Sequence, residues 1–123
     1  MLHSTKLYGI TDSSQDLIVN DSRAVFGFLY AVLWLKDDLA DGVGAVLSTQ
    51  APGNVKTLLT LTAANTDNAF YYPRDLVHDA AGTALTGTSG GDRALPVIDG
   101  TLRLVVAQGG ATNAGGCIVY WCD

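Results

Sequence analysis

The sequence predicts an all-β fold, an antiparallel two-sheet β-sandwich of jelly-roll type, on three observations. Short runs rich in aromatic and β-branched residues alternate with clusters of turn formers along the whole chain. No stretch shows a convincing amphipathic helical repeat. Only 15% of residues are charged while 48% are hydrophobic and 14 are glycines, the composition of a small β protein with many turns. At 123 residues the chain has room for one domain with a real core, and neither a linker nor a repeat divides it, so residues 1–123 read as a single domain. A small closed barrel is the rival architecture.

Taken in order, Leu7 to Ile10 reads as a short edge strand that stops at the turn formers Thr11-Asp12-Ser13-Ser14. Asp16 to Asn20 is a second short strand, and Asn20-Asp21-Ser22-Arg23 leads into the long apolar run Val25 to Leu35. That run ends at Lys36-Asp37-Asp38 and a solvated loop, Leu39 to Gly44. Ala45 to Thr49 and Val55 to Thr62 are strands around the turn Ala51-Pro52-Gly53-Asn54. Phe70-Tyr71-Tyr72 is extended because the residue before Pro73 avoids the helical region, and Leu76-Val77-His78 prolongs it. Thr83 to Thr86 follows a tight turn at Gly82, and Gly87 to Asp92 is a loop. Pro96 puts Ala94 to Ile98 at an edge or a strand start. Asp99-Gly100 is the strongest hairpin turn signal, joining that strand to Thr101–Gln108. A glycine-rich tip, Gly109 to Gly116, precedes the closing strand Cys117 to Cys122, which brings the total to nine or ten strands.

The run Val25 to Leu35 carries no formal charge, and at strand period both of its faces are apolar. Phe26, Phe28, Tyr30, Val32 and Trp34 share one side; Gly27, Leu29, Ala31, Leu33 and Leu35 share the other. Such a strand is either central in a packed sandwich or meets another subunit. Large rings with a polar tip are enriched at interfaces. The aromatic side, with Phe28, Tyr30 and Trp34 as the candidate contact residues, is therefore assigned to an interface with another subunit or a partner protein, and the aliphatic side to the interior. The reverse assignment is the rival. Eleven residues are too few to cross a membrane as a helix, which needs roughly 20.

The net charge is −5, and seven Lys and Arg are scattered without clustering, so no basic patch exists to hold nucleic acid. No apolar stretch of signal-peptide length follows Met1, which predicts a chain that begins life in the cytosol. Cys117 and Cys122 fall in one strand about 16 Å apart on opposite faces, whereas a disulfide needs Cα atoms about 5.5 Å apart, so two free thiols are expected.

Motifs that would carry chemistry have stronger bland readings. Gly87-Thr88-Ser89-Gly90-Gly91 fits G-x-S-x-G, but no helix follows it and both histidines, His3 and His78, precede the serine, against the triad order of that fold. His78 beside Asp79 reads as a surface histidine rather than an acid/base group. Neither histidine has a second one near it, so no metal site and no cofactor are expected, nor any enzymatic activity. Tyr71, Tyr72, Trp34, Tyr120 and Trp121 could form a carbohydrate platform, although rings in β-sandwiches more often fill cores and interfaces.

Tyr71-Tyr72-Pro73-Arg74, Val77-His78-Asp79-Ala80-Ala81-Gly82, Leu85-Thr86-Gly87 and Leu95 to Leu102, with the glycine-rich tip, form a pattern over residues 69–121. It resembles the small jelly-roll virion proteins that decorate, or cement, the heads of tailed bacteriophages. The resemblance implies a homo-oligomer, and the apolar run Val25 to Leu35, with more surface than one small core needs, predicts a dimer first and a trimer second. It would be made in the host cytoplasm and bind the outer surface of the head, where it joins neighbouring major capsid proteins. It implies no catalytic residues. The alternative from another class is a carbohydrate-binding or host-recognition module of a phage tail.

Overall fold

The computed structural model describes residues 1–51, 54–76, 81 and 93–123. The described residues form only strands and loops: β1 (Leu2–Ile10), β2 (Leu17–Leu35), β3 (Gly44–Ala51), β4 (Asn54–Leu61), β5 (Ala69–Tyr71), β6 (Asp75–Leu76), β7 (Arg93–Ala94), β8 (Val97–Ala107) and β9 (Ala114–Cys122). Seven of them make one antiparallel sheet in the order β1-β9-β2-β8-β3-β4, with β5 also paired to β2, while β6 and β7 form a separate two-stranded ladder.

The long strands are joined edge to edge into this one seven-stranded ladder, and β2 is the reason. This strand absorbs the second short strand and the long apolar run into one element of 19 residues. Its first part, from Leu17 to Phe28, pairs with β8; its second part, from Phe28 to Leu35, pairs with β9, and Val32 to Trp34 also pair with β5. One strand thereby serves two strand groups.

Two irregularities divide β2. Asn20 pairs with Arg103 and Ala24 with Thr101, so Asp21, Ser22 and Arg23 oppose a single residue of β8 and arch out of the ladder. Further on, Leu29 pairs with Trp121 and Ala31 with Tyr120, leaving Tyr30 as an extra residue against β9. Since strand side chains alternate with period two, one inserted residue exchanges the faces beyond it. Phe26, Phe28 and Tyr30 point outward, yet Val32 and Trp34, of the same parity, are buried.

The assignment of Trp34 to the outer face is thus corrected. Its side chain is 0% exposed, and the indole Nε1 donates to the Ala64 carbonyl at 3.0 Å. Leu33 and Leu35, expected inside, are half-buried, while Leu29, on the near side of the bulge, is in the core. The core is one cluster drawn from all the long strands, with Leu7, Leu29, Trp34, Leu47, Leu102, Leu104 and Val119 among its members. Val32, Trp34 and Cys117 meet Ala45, Leu47, Leu61 and Leu104 around a void of only about 10 Å³, too small to lower the packing density.

The hairpin expected at Asp99-Gly100 does not form. Both residues pair with β2 inside a continuous β8, Asp99 with Phe26 and Gly100 with Val25. Gly100 has φ +112°, and a Cβ there would sit 2.8 Å from the Gln50 carbonyl, so glycine is required by the close approach of β3 rather than by a turn. Gly115 and Gly116, placed by sequence in the loop tip, lie in β9. A Cβ at Gly116 would overlap the Leu7 carbonyl, so glycine there lets β1 and β9 lie close. Pro96 immediately precedes β8, as its missing N–H requires, and its carbonyl accepts from Leu29 N at 2.8 Å. Cys117 is buried, Cys122 is half-buried, and both are free thiols. No helix of the described residues is long and apolar enough to cross a membrane.

Candidate functional site

Tyr30, the last outward residue of β2 before its face reversal, opens onto an aromatic cluster. Tyr30 stands at the bulge, and its carbonyl accepts from Arg74 Nη1 at 3.1 Å, a bond available because the extra residue leaves the regular ladder. Arg74 Nη1 also donates to the Pro73 carbonyl at 2.7 Å, so one guanidinium holds the segment after β5 against β2. Phe70 stacks with Tyr72 at a ring separation of 6.3 Å and meets Tyr120 of β9 at 6.2 Å. Leu2, Tyr30, Ala31, Phe70, Tyr72 and Tyr120 line an open groove of about 300 Å³. Tyr30 is 47% exposed, Phe70 52% and Tyr72 57%, and none of the lining residues carries a formal charge.

Phe28 lies elsewhere. With Phe26 and Val97 it lines a shallower depression that includes Asp99 and Asp123. The three predicted contact residues therefore occupy three environments: Tyr30 in the aromatic groove, Phe28 in the neighbouring depression and Trp34 in the core. The proposed carbohydrate platform is scattered as well, since Tyr71 packs against the core and Trp121 faces a separate polar recess. Leu2, Ala31 and Phe70 are the groove residues that sequence reasoning missed. Phe70 was legible as part of an extended aromatic run, but its neighbours in the groove come from β1, β2 and β9, which no local pattern brings together.

Chemically the groove offers apolar area with hydroxyl tips, each ring burying on the order of 150–250 Å² when covered. Among the described residues no group of three or more His, Cys, Asp or Glu is placed to hold a metal ion. His78 and the Gly87–Gly91 motif lie outside the described residues. At another corner of the same face, Tyr8 donates a short hydrogen bond to Asp37, and this bond first, with burial and the charges of Asp37, Asp38 and Asp67, pushes its phenol up to about 12. Lys6 Nζ sits 4.7 Å from the centre of the same ring. Burial alone pushes the Cys117 thiol up to about 12, so it stays protonated and packs as a small apolar group.

No known family model matches the chain, and no curated protein is similar to it. Among solved structures it is similar to the crystal structure of PirA, over 98% of this chain and 93% of that one, with 13% identity and a TM-score of 0.36.

Proposed function

We propose that this chain is a virion assembly protein, a decoration protein that docks on the outer surface of a bacteriophage head and joins neighbouring major capsid proteins. The observation that carries the reading is the uncharged aromatic groove of Tyr30, Phe70, Tyr72 and Tyr120, left open to solvent on a chain whose core is already filled. Contiguous exposed apolar surface rimmed by polar groups marks docking sites, and tyrosine is enriched there. The resemblance of residues 69–121 to head decoration proteins points to the same role. The protein acts by adhesion, not catalysis, as a homo-oligomer on the head surface. The finer architecture belongs to this proposal: a jelly-roll sandwich in which β2 crosses from one layer to the other at Phe28. Its support is the exchange of β2 partners at that residue and the apposition of Trp34 and Cys117 to Leu47 and Leu104.

Cosedimentation with empty heads of the phage that encodes the chain tests the reading. The unaltered protein is expected to pellet with heads, and a Phe70→Ala/Tyr72→Ala variant with an unchanged melting temperature is expected to stay in the supernatant. Failure of the unaltered protein to bind any such head, or full binding by the variant, would contradict the proposal.

A further inference from the structure

Phe26 and Phe28 line an exposed depression apart from the aromatic groove, together with Val97 and Asp99. Asp99 pairs with Phe26 and Val97 with Phe28, and directly opposed residues of an antiparallel pair share a face, so all four point outward from one sheet surface. Tyr30 ends the row, and Phe28 lies midway, about 7 Å along the strand from Phe26 and from Tyr30. Phe26, Phe28, Tyr30 and Val97 are between 45% and 66% exposed, and together they leave on the order of 400–500 Å² of apolar surface open. That is about the apolar share of the roughly 800 Å² that each side of a standard interface covers.

The charges at the two ends of the row are opposite and unanswered. Asp99 flanks Phe26 and has no ion-pair partner among the described residues, whereas Asp123, the other acid of the depression, is paired with His3. At the far end Arg74 follows β5 back along β2 and holds the Tyr30 and Pro73 carbonyls through Nη1, which leaves Nε and Nη2 free to donate and no carboxylate within ion-pair distance among the described residues. β9 and β5 take opposite edges of β2 at Val32 to Trp34, and β9 and β8 take opposite edges at Phe28, so β5 and β8 follow the same edge. Asp99 and Arg74 therefore stand along one edge of the row, to either side of Phe28. Such a surface complements itself. A two-fold axis in the plane of the sheet, crossing the row at Phe28, lays Phe26 on the second copy's Tyr30 and Asp99 on the second copy's Arg74, and makes each contact twice. We infer that this face binds a second copy of the chain, as a symmetric dimer with Phe28 at its axis and two Asp99–Arg74 ion pairs at its rim. The inference rests on the homo-oligomer of the proposed role and names its contact, while Phe70, Tyr72 and Tyr120 stay open for the head.

Sedimentation equilibrium of the full chain, without heads, tests it. The unaltered protein is expected to pass from monomer to dimer as its concentration rises through the micromolar range. The Phe70→Ala/Tyr72→Ala variant is expected to do the same, which separates this contact from head docking. Phe28→Asp is expected to stay monomeric, with the melting temperature of the unaltered protein at submicromolar concentration, where the fold stands alone. Asp99→Arg and Arg74→Asp each set like charges against each other at both rims and are expected to stay monomeric, while an equal mixture of the two restores both ion pairs and is expected to dimerise. Should Arg74→Asp lose the Tyr30 carbonyl bond and with it the fold, Phe28→Asp and Asp99→Arg carry the test. An unaltered protein that stays monomeric at high micromolar concentration or forms a trimer, dimers of Phe28→Asp or of Asp99→Arg, or a mixture of folded charge variants no more dimeric than its components would overturn the inference.

Discussion

The two parts of β2 on either side of Tyr30 carry the same kind of sequence and meet opposite fates. Before the bulge Phe26, Phe28 and Tyr30 face solvent and Val25 and Leu29 are buried; beyond it Val32 and Trp34 are buried and Leu33 and Leu35 are half-buried. One residue of slippage against β9 makes the difference, turning an aromatic row into a surface for contact on one side and a core anchor on the other. The cysteines of β9 sit opposite the two parts: Cys117 pairs with Trp34 and is buried, Cys122 pairs with Phe28 and is half-buried. The aromatic content of a strand therefore says little about its role until its register is known.

Inserting one alanine between Ala31 and Val32 breaks the comparison most severely. A residue added beyond the bulge moves Val32 and Trp34 by one step against β9 and turns them out of the core. Loss of the cooperative unfolding transition in circular dichroism is the expected outcome, and an insertion variant with a normal melting temperature would show that the register beyond Tyr30 does not set the faces.

A smaller effect comes from alkaline pH, through the cysteine of the buried part. The folded state holds Cys117 protonated up to about 12, while in the unfolded chain the thiol ionises near its ordinary value of 9.0. Below that value both states bind the proton and the contribution is fully present. As pH rises from there toward 12 only the folded state binds it, so stability falls, by at most about 1.4 kcal/mol per pH unit from this group. Tyr8 acts in the same direction with a screened contribution. Urea titrations over this range are expected to show the decline, and Cys117→Ala to flatten it. At about pH 8 a thiol reagent should label Cys122 and spare Cys117 until the chain unfolds. Equal labelling rates for the two would contradict their separation.

The smallest effect belongs to the outward part. Phe28→Ala should change the unfolding free energy by no more than about 0.5 kcal/mol, as surface substitutions do. A larger loss would mean that the depression with Phe26 and Val97 is covered by packing within the fold.

The same contrast explains what the sequence disclosed. The all-β class was legible because composition, alternation and turn residues are local signals. The places of β3, β4, β5 and β9 followed to within a few residues, with the glycine-rich tip shortened as Gly115 and Gly116 joined β9. Face reversal at Tyr30 was not legible, because it depends on register with β9, ninety residues away in the chain. Asp99-Gly100 misled for a related reason: its turn preference is local, while pairing of both residues with β2 holds the strand straight. The triplet Asp21-Ser22-Arg23 was read only as a lead-in to the long strand. Four polar residues, Asn20 to Arg23, between two apolar runs were the available sign that one strand continues through an arch.

The central claim, that Tyr30 divides one aromatic row into a contact half and a core half, is tested most directly by urea unfolding of Trp34→Ala beside Tyr30→Ala. Trp34→Ala empties a fully buried site and leaves the Ala64 carbonyl without its donor, and is expected to cost about 3–5 kcal/mol. Tyr30→Ala is expected to cost less than about 1 kcal/mol. Equal losses, or a larger loss for Tyr30→Ala, would contradict the account.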